Sequence, residues 1–201
     1  MLLVQLFGGE DSVLAREEGI WPHDGLTIVM LGDSLTAGGR WRQLRQGAEI
    51  YNMGVPGDTT SGLWSRVDEA LEKKPDFIFL QIGINDLGQG RSAGEIVEQS
   101  VLIWQEIKEK APRVGLFVCS LIPVRESYFS NPPRKLKNSY IREVNRQLSE
   151  AARKEGVTFI DLFFPLLGSD SELPAALTFD GVHLQAPAYN VWLKTIRPFL
   201  P

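Results

Sequence analysis

The sequence predicts an α/β fold: a five-stranded parallel sheet covered by helices on both faces. Three observations carry that expectation. Short apolar runs bounded by Gly, Pro or Asp alternate along the chain with longer segments of helical periodicity. The runs are apolar at successive positions rather than at alternate ones, as strands buried on both faces are. Finally, polar clusters follow several of these runs, and in sheets of this kind ligands sit beyond the carboxyl ends of the strands.

Taken in order, the strands are LTIVML (26–31), AEIYN (48–52), DFIFLQI (76–82), VGLFVCS (114–120) and VTFIDL (157–162). Between them lie the helices. A short one follows Leu35, and TSGLWSRVDEALEKK forms a longer one after Asp58. SAGEIVEQSVLIWQEIKEK follows Arg91, and LKNSYIREVNRQLSEAARKEG ends at Gly156, a glycine suited to the left-handed position past a helix end. The last helix opens with Pro187 in its first turn and runs to Arg197. Trp41, Trp64, Trp104 and Trp192 fall within helical patterns and are expected to pack against the sheet. No repeat, low-complexity tract or linker interrupts the chain. Residues 1–201 are therefore expected to form one domain, with 1–24 as an N-terminal extension packing on the core.

Composition narrows the function. At 201 residues and 43% hydrophobic, the chain can close one sizeable core without disulfide or metal staples. A net charge of -4 removes the electrostatic footprint of a nucleic-acid or anionic-membrane binder. Cys119 is the single cysteine and His23 and His183 are the two histidines, which leaves neither a disulfide framework nor a Cys-rich zinc site. The opening MLLVQLF is too short to span a bilayer and lacks the basic flank and cleavage site of a signal peptide. The expected setting is cytoplasmic, with no stable membrane anchor and a small-molecule substrate. Arg40, Arg42 and Arg45 read as a solvated face.

Four polar clusters remain to be explained. LGDSLTAGG (31–39) places Gly32, Asp33 and Ser34 at the carboxyl end of the first strand and the start of a helix. NMGVPGDTT (52–60) follows the second strand, and its Gly54 lies in a loop able to turn a backbone N–H toward the same crevice. Taken alone it is an ordinary Gly/Pro loop, with Asp58 or Thr59 capping the next helix. GINDLGQG (83–90) places Asn85 after the third strand. TFDGVHL (178–184) sets Asp180 three residues before His183, so one turn of chain can present both side chains to one place. A carboxylate that accepts the imidazole Nδ1–H leaves Nε2 free as a base, which a serine hydroxyl needs because it is a poor nucleophile at its own pKa. Oxyanion donors are then available from the Ser34 N–H, the Gly54 N–H and the Asn85 amide. Asp33 reads as a tie within the nucleophile loop, since Asp180 has the better spacing to His183.

These residues resemble the GDSL esterase/lipase family of the SGNH-hydrolase superfamily. Gly32-Asp33-Ser34-Leu35 is similar to its nucleophile block, Gly54 to its second-block glycine with Gly57 close by, Gly83-Ile84-Asn85-Asp86 to its third block and Asp180-Gly181-Val182-His183 to its fourth. The resemblance implies a flavodoxin-like three-layer α/β/α sandwich and a serine esterase with no cofactor. GVPGDTT and TFDGVHL look most similar to lysophospholipase-like and platelet-activating-factor-acetylhydrolase-like members. A conventional α/β-hydrolase would show G-x-S-x-G, and a P-loop would need a lysine after Gly38-Gly39. The alternative from another class is a non-enzymatic flavin-binding module of flavodoxin type, whose phosphate Asp33 would repel and which gives Asp180 and His183 no task.

Within the esterase reading, short polar loops (GDTT, NDLGQGRS) and the absence of an apolar insertion predict a small acyl pocket and acetyl to butyryl esters. The long loop at 121–135 carries Tyr128 and Phe129 toward the leaving alcohol. A lysophospholipid or thioester substrate is the alternative.

Overall fold

The computed structural model describes residues 25–131 and 135–201. The expected packing of 1–24 on the core, and His23 with it, lies outside the described residues.

Five strands form one sheet: β1 (Thr27–Gly32), β2 (Glu49–Gly54), β3 (Phe77–Gln81), β4 (Gly115–Cys119) and β5 (Thr158–Ile160). Every neighbouring pair is parallel and the order is β2-β1-β3-β4-β5. β1 and β3 are buried along almost their whole length, which accounts for their continuous apolar runs. β2 lies at the edge and is only partly buried, so AEIYN carries polar residues.

The helices are α1 (Ser34–Ala37), α2 (Thr60–Trp64), α3 (Val67–Leu71), α4 (Ile84–Gly88), α5 (Ala93–Lys110), α6 (Asn138–Glu155), α7 (Phe163–Leu166) and α8 (Ala186–Ile196). α5 begins in a capping box, Ser92 and Glu95 each accepting from the other's backbone, and buries Ile96, Ser100, Ile103, Trp104 and Ile107 along one stripe. α6 buries Ile141, Val144, Leu148 and Ala152 and stops at Gly156, whose φ of 66° is left-handed as expected. Helices α2 and α3 each contact α5, α5 contacts α6, and α7 contacts α8.

Three details differ from the sequence expectation. TSGLWSRVDEALEKK is two helices, not one, because the chain breaks at Ser65–Arg66, where the arginine turns inward. GINDLGQG is a helical turn, α4, not a loop. Trp41, Trp104 and Trp192 are buried, but Trp64 is 44% exposed and donates its indole N–H to Glu106.

The chain runs from β1 outward to the edge strand β2 and then crosses back over β1 to β3, from where it continues to β4 and β5. The sheet therefore has its switch point between β1 and β3, and a crevice opens beyond the carboxyl ends of those two strands. Ser34 follows β1 and Asn85 follows β3, so the strand order alone brings those two residues together.

Candidate active site

Ser34 is the first residue of α1. The helix starts there because Asp33 caps it, Oδ1 accepting from the Leu35 N–H at 2.9 Å. The Ser34 N–H is the first of the helix and has no acceptor within it. Gly32 precedes the cap because a Cβ there would meet the Gln81 carbonyl and the Thr36 hydroxyl, each at 2.3 Å. Tyr189 closes α1 from behind, its hydroxyl donating to Leu35 O at 2.9 Å.

His183 approaches from the turn before α8. Its Nε2 lies 3.0 Å from Ser34 Oγ, and its Nδ1 lies 2.6 Å from Asp180 Oδ2. The same carboxylate is tied to its own turn, Oδ1 accepting from the Val182 N–H at 2.9 Å and the His183 N–H at 2.7 Å. Partial burial by itself would raise the Asp180 carboxyl, but the bonds from the His183 ring and these two N–H groups hold it below its ordinary value. Thr178 braces the turn by donating to His183 O and accepting from the Gly181 N–H. Gly181 is required by its φ of +93° and by close approach, since a Cβ would sit 2.8 Å from Arg125 O. The loop after β4 thus lies against the acid–base turn, with Phe129 and Tyr128 flanking Gly181 and the Arg125 N–H donating to Gly181 O at 2.8 Å.

Asn85 stands in the first turn of α4 and donates one amide proton to Asp58 O at 2.8 Å. An Nδ2 carries two protons, and the second is available for the crevice. The Gly54 N–H is not: it donates to Asn52 Oδ1 at 3.1 Å. Gly54 is glycine for another reason, because a Cβ there would lie 2.1 Å from the Ala37 backbone nitrogen. Gly57, three residues on, has φ +80° in a turn closed by the Asp58 N–H on Val55 O at 3.1 Å. In such a turn, with proline before the glycine, the N–H of the glycine is left unused.

Competing nucleophiles are disposed of by their surroundings. Ser120 is fully buried and its Oγ accepts from the Leu162 and Phe163 N–H groups. Ser61 is exposed, with the Arg91 guanidinium as its neighbour instead of a base. Burial pushes the Cys119 thiol far up, so it is inert.

Several residues of the site went unread in the sequence. Phe179 is 64% exposed with its ring parallel to the His183 imidazole, centroids 6.1 Å apart. Asp86 is fully buried and accepts from the Thr60 N–H at 3.0 Å and the Thr60 hydroxyl at 2.7 Å. Arg66 pairs with Asp58 at 2.7 Å. Phe179 is signalled by its place beside Asp180 and Asp86 by its place in the third block, though not its bonds to Thr60, 26 residues away; Arg66 gives no signal, its carboxylate partner being 8 residues away.

A family model, GDSL-like Lipase/Acylhydrolase, matches residues 30–191. The chain belongs to that family. The GDSL acylhydrolase match begins just before the nucleophile block and ends beyond His183, so all four blocks fall within it. Solved structures share the fold. A Streptococcus pneumonia protein described as a platelet activating factor is 25% identical, with a TM-score of 0.79 over 94% of this chain and 90% of its own. A GDSL-like lipase from Bacteroides thetaiotaomicron is 18% identical, with a TM-score of 0.71 over 94% and 96%. An acetylxylan esterase from Geobacillus stearothermophilus is 19% identical, with a TM-score of 0.68 over 86% and 93%. No curated sequence is similar enough to count as a relative. This GDSL family member is a hydrolase of α/β architecture, and among its described residues no helix is long and apolar enough to cross a membrane.

Proposed function

We propose that this acylhydrolase is a serine esterase for short-acyl esters, acetyl esters foremost, working through Ser34, His183 and Asp180 and an acyl-enzyme. The observation that carries the reading is the unbroken chain from Ser34 Oγ to His183 Nε2 at 3.0 Å and from His183 Nδ1 to Asp180 Oδ2 at 2.6 Å. With Nδ1–H donated to the carboxylate, Nε2 accepts the Ser34 proton as Oγ attacks the ester carbonyl. Asp180 stabilises the imidazolium that forms. The imidazolium then returns the proton to the departing alkoxide, and water attacks the acyl-enzyme by the same route. The tetrahedral oxyanion is held by the Ser34 N–H, the second amide proton of Asn85 and the N–H of Gly57, which replaces Gly54 because the latter's N–H is already bonded to Asn52.

The acyl preference draws support from the openness of the site. The side chains of His183 and Asp180 are 43% and 44% exposed, as suits a small acyl group on a bulky, polar alcohol. The exposed Phe179 ring and Tyr128 offer flat surfaces beside the base for that alcohol. The Geobacillus acetylxylan esterase, which shares the fold, is named for such a substrate. The test is Ser34→Ala, which should abolish both hydrolysis of p-nitrophenyl acetate and labelling by an organophosphonate; retained activity would refute the assignment.

A further inference from the structure

The nucleophile, the second-block loop and Asn85 leave three different strands, and one side chain bonds the ends of two of them and reaches the third through Asp58. Arg66 occupies the break between α2 and α3, with φ -123° and ψ 16°, and from there its guanidinium runs inward. Its side chain is 12% exposed and that of its partner Asp58 is 8% exposed. Nη2 donates to Gly32 O at 2.8 Å, Nη1 to Met53 O at 2.9 Å and Nε to Asp58 Oδ2 at 2.8 Å. Each acceptor is next to a working part. Gly32 is two residues before Ser34, and Met53 is the penultimate residue of β2, ahead of the loop that carries Gly57. Asp58 follows Gly57, and its main-chain oxygen holds the Asn85 amide at 2.8 Å.

We propose that Arg66 is a positioning residue for the oxyanion hole. Its planar fork fixes the spacing of the β1 and β2 ends and, through Asp58, the orientation of the Asn85 amide. Nε and Nη2 both reach Asp58 Oδ2, at 2.8 and 2.7 Å, and beyond that ion pair Nη1 and Nη2 also donate to main-chain carbonyls at two strand ends, which pairing with the carboxylate alone does not require. Donors to a developing oxyanion act only when held within about half an ångström of their productive place. Lysine cannot substitute, because an ammonium on a flexible stem presents a point charge where a fork spans three acceptors. The inference rests on the serine-esterase reading.

The test is a double-mutant cycle on the full chain, with p-nitrophenyl acetate as substrate and a thermal melt for each variant. Arg66→Lys keeps the charge beside Asp58 and should lower kcat roughly 10- to 100-fold, as small misplacements of reacting groups do, with KM within about threefold of wild type. In an Asn85→Ala background the same change should cost a smaller factor, because the share that runs through Asp58 to the amide is gone while the share through Gly32 and Met53 remains. Wild-type kcat in Arg66→Lys, a rise in KM with kcat held, or an equal loss in both backgrounds overturns the proposal. If Arg66→Lys does not fold, Asp58→Asn, which frees the guanidinium on one side only, goes through the same cycle with the same criteria. Ser34→Ala assayed alongside separates the two levels: activity there would defeat the esterase reading itself, whatever Arg66 does.

Discussion

Asp33 sits directly before the nucleophile with no exposed surface, one oxygen bonded to the Leu35 N–H and the other, Oδ2, without a partner. Burial raises its carboxyl from 3.8 to about 7; the Leu35 bond opposes the rise, the charge of Asp58 adds to it, His183 opposes it and Asp86 adds again. Between those two values the folded chain keeps a proton that the unfolded chain has released. Stability contributed by Asp33 is thus fully present below pH 3.8 and is lost as pH climbs through about 7. The loss runs at about 1.4 kcal/mol per pH unit and totals about 4 kcal/mol across the window. Asp33→Asn has no such proton and keeps an oxygen for the cap. Urea unfolding of both proteins at about pH 4, 5.5, 7 and 8.5 reads the difference, in which other titrating groups cancel. The amide adds a constant offset of about 1–3 kcal/mol if its NH₂ stays unpaired, so the slope and not the offset is diagnostic. The variant should gain on the wild type steadily up to about pH 7 and level off above it. A difference flat in pH would show that Asp33 is ionised in the fold and refute the argument.

Other expectations concern the chemistry. Asn85→Ala should lower kcat by roughly 10²- to 10³-fold with a much smaller change in KM; steady-state kinetics showing the reverse would make Asn85 a substrate-binding residue. Gly54→Ala forces a Cβ to 2.1 Å from the Ala37 nitrogen, and thermal melts should show a loss of about 2 kcal/mol or more. Gly57→Ala has open space around its Cβ and should lose about 1 kcal/mol from its φ alone while lowering kcat; a Gly54→Ala melt at the wild-type temperature would contradict the close approach. Along p-nitrophenyl esters from C2 to C12, kcat/KM should peak between acetyl and butyryl. A maximum at C8 or longer would favour a lysophospholipase.

The legible part of this protein was periodic or local. Five strands and the long helices α5 and α6 announced themselves because each buries a repeating apolar pattern, and Asp180 and His183 because one turn separates them. Strand order was not written anywhere, yet it decides that Ser34 and Asn85 share a crevice. The broken helix at Ser65–Arg66 was misread because its periodicity continues through the break; a guanidinium's partners 34 residues away leave no local trace. Letters alone favour Gly54 over Gly57. Only backbone geometry separates a glycine needed for close packing from one whose N–H is unspent.

The two halves of the site are held in different ways, and this bears on how it can work. The nucleophile side is braced by buried groups: Asp33 beneath α1, Asp86 on Thr60, Arg66 across two strand ends. The acid–base side is a turn whose working side chains are 43% and 44% exposed, held by Thr178, by the backbone of Arg125 and by Arg125's pairing with Asp170 at 3.1 Å. That division would suit the proposed serine-esterase reaction. On that reading the oxyanion donors would have to stay fixed as charge develops, because reorganising them would forfeit their advantage over water. On the same reading the imidazole would take a proton from Ser34 Oγ and hand it to the leaving alkoxide, two positions that no single rigid placement serves equally.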